Sequence, residues 1–441
     1  MASAPPASRV RTRVLAFAFS LTAITYLDRI CISAAAPFIM KDLSLTAFQM
    51  SLVFSAFTLA YSLFEVPSGW LGDVRGPRKV LTRIVVWWSV FTMTTGLAQG
   101  FRSLLAIRFL FGAGEAGAFP NMARSLSRWF PLRERGRANG IALLGSRVGG
   151  MLSVPLALLV INAWGWRVSF VLFGLTGIVW AIAWQRWYRD RPEDHPAMTA
   201  SELLWIQQDL GAEALAAKAA GAPPPPTPVP WRVLFTTRNL YAICAMYFAF
   251  GYGLYFYFTW LPTYLIEELG FSPLAGGALA ALPFFLAGLA DVAGGWLTDR
   301  LSHDFGLKVG RCYLGFAAFF TCGVLLYIST LAGGPVAKAV LLALALASAD
   351  FGLSAAWAVS LDIAPDHGGV MTGWMNTFGN LGGLFGPIVV GYAIDRWQSW
   401  TIPFYIAAAI YVAGAVAWLV IDPTRQLVPA EANPRYVAQH L

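Results

Sequence analysis

Apolar runs of about 20 residues recur along this chain from residue 14 almost to residue 421, and each is long enough to carry a helix across about 30 Å of hydrocarbon. The runs are continuous rather than alternating, which excludes a membrane β-barrel and leaves helices that satisfy their own backbone in lipid. Only 12% of the 441 residues are charged, where a soluble protein carries about a quarter. The sequence therefore predicts an all-α membrane protein.

Twelve spans are predicted, at roughly 14–37, 48–72, 80–99, 101–123, 138–161, 166–187, 239–264, 274–298, 311–332, 336–361, 369–394 and 399–421. With both termini cytoplasmic, most of the 31 Lys and Arg residues fall on the cytoplasmic side, as the positive-inside rule requires. The 18 Trp and 15 Tyr fit interfacial belts. The net charge of +8 has the same origin, so the expected surface partner is anionic lipid and not nucleic acid, for which no motif is present. Cys31, Cys244, Cys312 and Cys322 lie in or beside spans without C-x-x-C spacing and read as packing residues, with no disulfide or metal implied. The start of the chain imitates a secretory signal, but a charged pair interrupts its apolar run and cleavage is not expected.

The chain repeats itself. "GWLGD" at 69–73 returns as "GWLTD" at 295–299, and Gly136, Gly140, Gly149 and Gly150 match Gly369, Gly373, Gly382 and Gly383 at one constant offset. Two six-helix bundles follow, 1–188 and 238–441, joined by a cytoplasmic linker at 189–237. Such repeats are how secondary transporters build a central site between two rocking halves. Within the linker, Thr199 to Glu202 reads as a capping box opening a short surface helix, and "GAPPPPTPVP" at 221–230 as an extended spacer. No nucleotide-binding loop is present, so transport driven by ATP hydrolysis is not expected. Neither is an enzyme, a catalytic residue or a bound cofactor.

Inside the predicted spans lie Asp28, Arg29, Glu65, Arg108, Glu115, Arg147, Asp291 and Asp350. Each costs about 2.5–3.5 kcal/mol near mid-bilayer and should face another charge or a water-filled cavity. Most are in the first half, which assigns the ion chemistry to that bundle. Arg108 and Glu115, seven apart, share one helix face but lie about 10 Å apart in rise, so each needs another partner. Asp28 and Arg29 point about 100° apart around the first helix. They read as a proton-titrating carboxyl beside an anion-binding guanidinium, coupled because moving the arginine toward an anion lets the acid take up a proton. A self-satisfied ion-pair network is the structural alternative. Glu65 and Asp291 each precede a "GWL" motif by four residues and suit a gate, as do Asp73 and its repeat Asp299.

"GWLGDVRGPRKV" at 69–80 resembles the loop signature of the major facilitator superfamily. "YLDR", "RFLFGAGEAGAFP", "RWFPLRERGRANG", "RDRPEDHP" and "FTWLPTYL" resemble its anion:cation symporter branch, which includes galactonate and hexuronate:proton symporters. The resemblance implies that Asp28 and Glu115 are proton sites linked by Arg108, and that Tyr26, Arg29, Tyr61, Trp357 and Asn376 contact substrate. Where those relatives carry glutamine in the fifth helix this chain has Ser146, followed by Arg147. A changed polar group on the substrate, such as a second negative charge met by Arg147, is inferred.

The expectation is a twelve-helix monomeric proton symporter in a bacterial inner membrane, importing an organic anion, a sugar acid first of all, by alternating access. Small aromatic or dicarboxylic acids are the alternative substrates. A proton:drug antiporter is disfavoured because "GSRVGG" replaces the glycine-proline pair typical of those carriers. A non-transporting nutrient sensor is disfavoured by short termini with no signalling domain.

Overall fold

The structure is a computed structural model that describes residues 9–207, 231–364 and 368–426, all of it helix and connecting turns. The elements are α1 (Arg9–Leu43), α2 (Ala47–Arg75), α3 (Pro77–Thr95), α4 (Phe101–Glu115), α5 (Ala118–Trp129), α6 (Leu132–Trp187), α7 (Ala200–Gln207), α8 (Trp231–Thr236), α9 (Arg238–Thr259), α10 (Pro273–Phe305), α11 (Leu314–Leu331), α12 (Pro335–Phe351), α13 (Leu353–Ile363), α14 (Gly368–Trp397) and α15 (Thr401–Val420). Among the described residues, nine helices are long and apolar enough to cross a membrane.

Two predicted spans differ in detail. The fourth is broken, because Ala116 is extended and Gly117 takes the left-handed conformation at φ 88°. A side chain at Gly117 would also strike Ser68 of α2, so only glycine allows this break. The fifth and sixth spans keep their predicted division, since within α6 two helices meet at Gly165, whose φ of 81° and ψ of 165° are not helical. The tenth is split at Gly352 into α12 and α13.

The chain divides into two compact units, one holding residues 9–39 and 56–207 and the other 40–55 with 231–364 and 368–426. In the first unit α6 lies directly along α1. Cβ atoms at Gly145 or Gly149 would overlap the α1 backbone at Phe19 and Ala23, a small-residue contact of the kind that joins membrane helices. Thr22 Oγ1 donates to Ala142 O at 2.5 Å and Ser153 Oγ to Leu27 O at 3.0 Å across the same seam.

At one end of this unit the loop signature is tied to the end of α6. Asp190 accepts the Arg78 amide at 2.9 Å, capping α3, and the Arg78 guanidinium donates to Gln185 O. The Asp73 side chain lies outside the described part of the structure. The linker segment that begins at residue 199 is more engaged than a surface helix. Thr199 Oγ1 accepts the Glu202 amide at 3.3 Å, as the capping box predicts. The Glu202 carboxylate also reaches beyond its own helix. It is buried and meets Arg11 of α1, whose guanidinium also binds Glu134 of α6 at 2.7 Å. Trp205 donates to that same Glu134 at 2.9 Å.

In the second unit Asp395 accepts the Ala47 and Phe48 amides at 3.0 and 2.8 Å, neutralising the first orphan donors of α2. Four of the five tyrosines of α9 are packing groups. Tyr247, Tyr252, Tyr255 and Tyr257 are all buried, and the Tyr257 hydroxyl is spent on Leu342 O at 2.7 Å.

Candidate functional site

The charged residues of the first unit converge where α1, α2, α3 and α4 meet. Asp28 is fully buried and its Oδ2 accepts a hydrogen bond from Trp88 Nε1 of α3 at 3.1 Å. One residue on, Arg29 turns the other way. Its Nε donates to Glu115 Oε1 at 3.0 Å, and its Nη2 donates to the same oxygen. The guanidinium lies over three rings, Tyr26 at 5.2 Å, Phe57 at 4.9 Å and Tyr61 at 4.9 Å. This cage is apolar on its walls and charged at its centre.

Glu115 is the last residue of α4, immediately before the break, and no part of it is exposed. Its Oε2, like Asp28 Oδ1, has no hydrogen-bond partner among the described residues. Both acids thus hold one oxygen to a donor and bury the other, where a charged oxygen costs more than a protonated one.

Arg108 is buried between Phe57 at 5.2 Å and Phe111 at 4.3 Å, and its Nε has no hydrogen-bond partner among the described residues. Contacts of a cation with ring faces return about 0.5–2 kcal/mol, less than the insertion cost of the charge. The resemblance implies that Arg108 links Asp28 to Glu115. Here Glu115 is held by Arg29 and Asp28 by Trp88.

The other predicted residues are distributed as follows. Tyr61 is buried, and Glu65 stands half-buried one turn further along α2. Tyr26 is half-buried, with its ring edge-on to Phe119 at 6.3 Å. Arg147 is half-buried on α6, about 200° around the helix from Gly145 and so turned away from the α1 seam. The Ser146 hydroxyl is engaged by its own helix at Leu143 O, 2.6 Å away. In the second unit Trp357 is 42% exposed, with its ring edge-on to Tyr247 at 6.2 Å, and Asn376 is half-buried on α14. Asp350 is buried at the end of α12.

Two predicted gate residues brace that unit from within. Asp291 Oδ1 accepts from Ser354 Oγ of α13 at 3.2 Å. Asp299 pairs with Arg311 at 2.9 Å, and Arg311 also holds Asp362 at 3.1 Å.

Trp88, Phe57 and Phe111 were not singled out from the sequence. One signal for Trp88 exists: belts place tryptophan at span ends, and Trp88 falls near the middle of its predicted span.

Residues 18–387 match the family model of the Major Facilitator Superfamily. The chain belongs to this superfamily. Over 420 residues it is 36% identical to the probable sulfoacetate transporter SauU of Cupriavidus necator, covering 94% of this chain and 95% of that one. It is 30% identical over 414 residues to the hexuronate transporter of Bacillus subtilis, covering 93% and 94%. A solved bacterial homolog of the human lysosomal transporter Spinster superposes with TM-score 0.71 at 16% identity, over 94% of this chain and 95% of that one, which shows the shared fold. This member of the superfamily is an organic-anion transporter and not an enzyme.

Proposed function

We propose that the protein is a proton-coupled symporter that imports a small organic anion, with sugar acids as the leading class, by alternating access. The observation that carries this reading is the Arg29–Glu115 pair within its ring of aromatics. The Nε and Nη2 donors that Arg29 gives to Glu115 Oε1 cannot serve a second carboxylate at the same time. A substrate carboxylate arriving at Arg29 therefore competes with Glu115, and a proton on Glu115 removes the competitor. Substrate and proton then favour each other's binding, which is the reciprocal coupling a symporter needs. Asp28 would be the second proton site and Arg108 the fixed positive charge beside both.

The hexuronate transporter among the relatives supports the sugar-acid class. The probable sulfoacetate transporter supports a second reading, a short substrate with two acidic groups, for which Arg147 supplies the further cation. Tyr26, Tyr61, Trp357 and Asn376 are the proposed substrate contacts, and Glu65, Asp73, Asp291 and Asp299 the proposed gate. The proposal places a monomer in a bacterial inner membrane with both termini cytoplasmic, bundles at 1–188 and 238–441, and the proton as coupling ion.

Uptake into proteoliposomes under an inward proton gradient tests it, with galactonate, a hexuronate and sulfoacetate as substrates and small aromatic and dicarboxylic acids beside them. Accumulation of one of these acids that a protonophore abolishes is expected. Accumulation indifferent to the gradient overturns proton symport, proton-driven efflux of hydrophobic cations would point to drug antiport, and binding without uptake to a sensor.

A further inference from the structure

Trp88 is among the largest fully buried side chains of the protein, and its indole N–H points at Asp28 Oδ2 across 3.1 Å. An indole donates but neither accepts nor titrates, so this bond favours an oxygen that carries charge. The ring is boxed in from behind, since a Cβ at Gly177 of α6 would meet Ser89 and would stand 3.4 Å from Trp88 Nε1. The other groups acting on Asp28 are Glu115 and Arg108 of α4 and, on its own helix, the Cys31 thiol. Cys31 Sγ donates to the Asp28 backbone carbonyl at 3.2 Å and so leaves the carboxyl to Trp88. Arg29, the next residue in the chain, is engaged with Glu115.

We propose that Trp88 is the positioning residue of the Asp28 carboxyl, fixing its rotamer and stabilising its deprotonated form inside the membrane. The inference deepens the proton-symport reading and rests on it for its meaning, but the hydrogen bond can be tested without transport. Dicyclohexylcarbodiimide attacks protonated carboxyls in apolar surroundings, and mass spectrometry resolves the adducts at Asp28 and Glu115 separately. Purified full-length protein and Trp88→Phe are labelled across pH 5 to 9.

Losing a hydrogen bond to a charged group should raise Asp28 labelling at pH 7.5 about tenfold, with Glu115 labelling changed by less than about twofold. In the Asp28→Asn background, Trp88→Phe should leave the Glu115 profile where it was. If Trp88→Phe does not fold, 3-benzothienylalanine at position 88 keeps the shape of the ring and still lacks the donor. Equal Asp28 labelling in the folded variant and the parent at every pH overturns the proposal. A changed Asp28 profile in a carrier whose accumulation ignores the proton gradient leaves the proposal standing and removes proton symport instead.

Discussion

Arg29 places two donors on one oxygen of Glu115, with Nε 3.0 Å from Oε1, while Oε2 of the same carboxyl has no partner among the described residues. The pair is asymmetric, so a proton can be added at Oε2 without first displacing the arginine. Glu115→Gln imitates that protonated state permanently. In proteoliposomes this variant is expected to lose at least about tenfold of gradient-driven accumulation while keeping exchange of labelled for unlabelled substrate, because exchange needs no return of the empty carrier. Full accumulation by Glu115→Gln would remove Glu115 from coupling and leave Asp28 or Asp350.

Arg29 itself offers a planar fork framed by Tyr26, Phe57 and Tyr61. Arg29→Lys keeps the charge but loses both the fork and the stacking on those rings. Substrate affinity is expected to fall by about tenfold or more in the lysine variant and further in Arg29→Ala, measured as the ligand-induced rise in melting temperature. Unchanged binding in Arg29→Ala would place the substrate elsewhere.

Arg147 follows Ser146, the position at which this chain departs from the galactonate-type pattern. If it meets a second acidic group, Arg147→Gln should shift preference from dianions such as sulfoacetate toward monocarboxylic sugar acids, with the ratio of their uptake rates changing about tenfold or more. Equal losses for both classes would count against a role in selection.

His195 gives the first unit a pH dependence of its own. It is buried, edge-on to the rings of Trp129 at 5.7 Å and Trp187 at 4.8 Å, and its Nδ1 accepts the Ala197 amide at 3.2 Å. Burial, and after it the nearby Arg189 charge, holds its pKa below the ordinary histidine value. A folded pKa below the unfolded one contributes stability that is complete above about pH 6.5 and is lost as the pH falls through the lower folded value. Melting temperature should therefore decline on acidification below that range, and His195→Gln should flatten the decline. A slope unaffected by the substitution would assign it to other groups.

The spans were legible because about 20 apolar residues in a row have few other uses, but the breaks in them were not. Gly117 and Gly352 interrupt helices, while Gly145 and Gly149 lie within one and serve close packing, and nothing in the local sequence separates the two uses. Asp28, Arg29, Arg108 and Glu115 stood out through the cost of charge in lipid. Their partners did not, because helical spacing fixes which face a residue occupies and not which helix lies opposite. Trp88 was hidden among 18 tryptophans, most of which an interfacial belt explains. Glu202 satisfied a local capping pattern so well that its longer-range bond to Arg11 went unread.

The break after Glu115 also bears on how the protein is made. It leaves α4 with 15 residues, about 22 Å of helix, with Arg108 inside it and Glu115 at its end. Neither α3 nor α4 is among the helices apolar enough to cross a membrane by themselves. The segment that carries the chemistry is thus a poor client for the insertion machinery, and it must enter in company. Its natural escort is α1, synthesised earlier, whose Arg29 waits 86 residues for the carboxylate that will neutralise it. Assembly order and ion pairing are on this account one problem, and a substitution at either charge should also lower the amount of inserted protein in cells, so the activities of such variants are compared per inserted carrier.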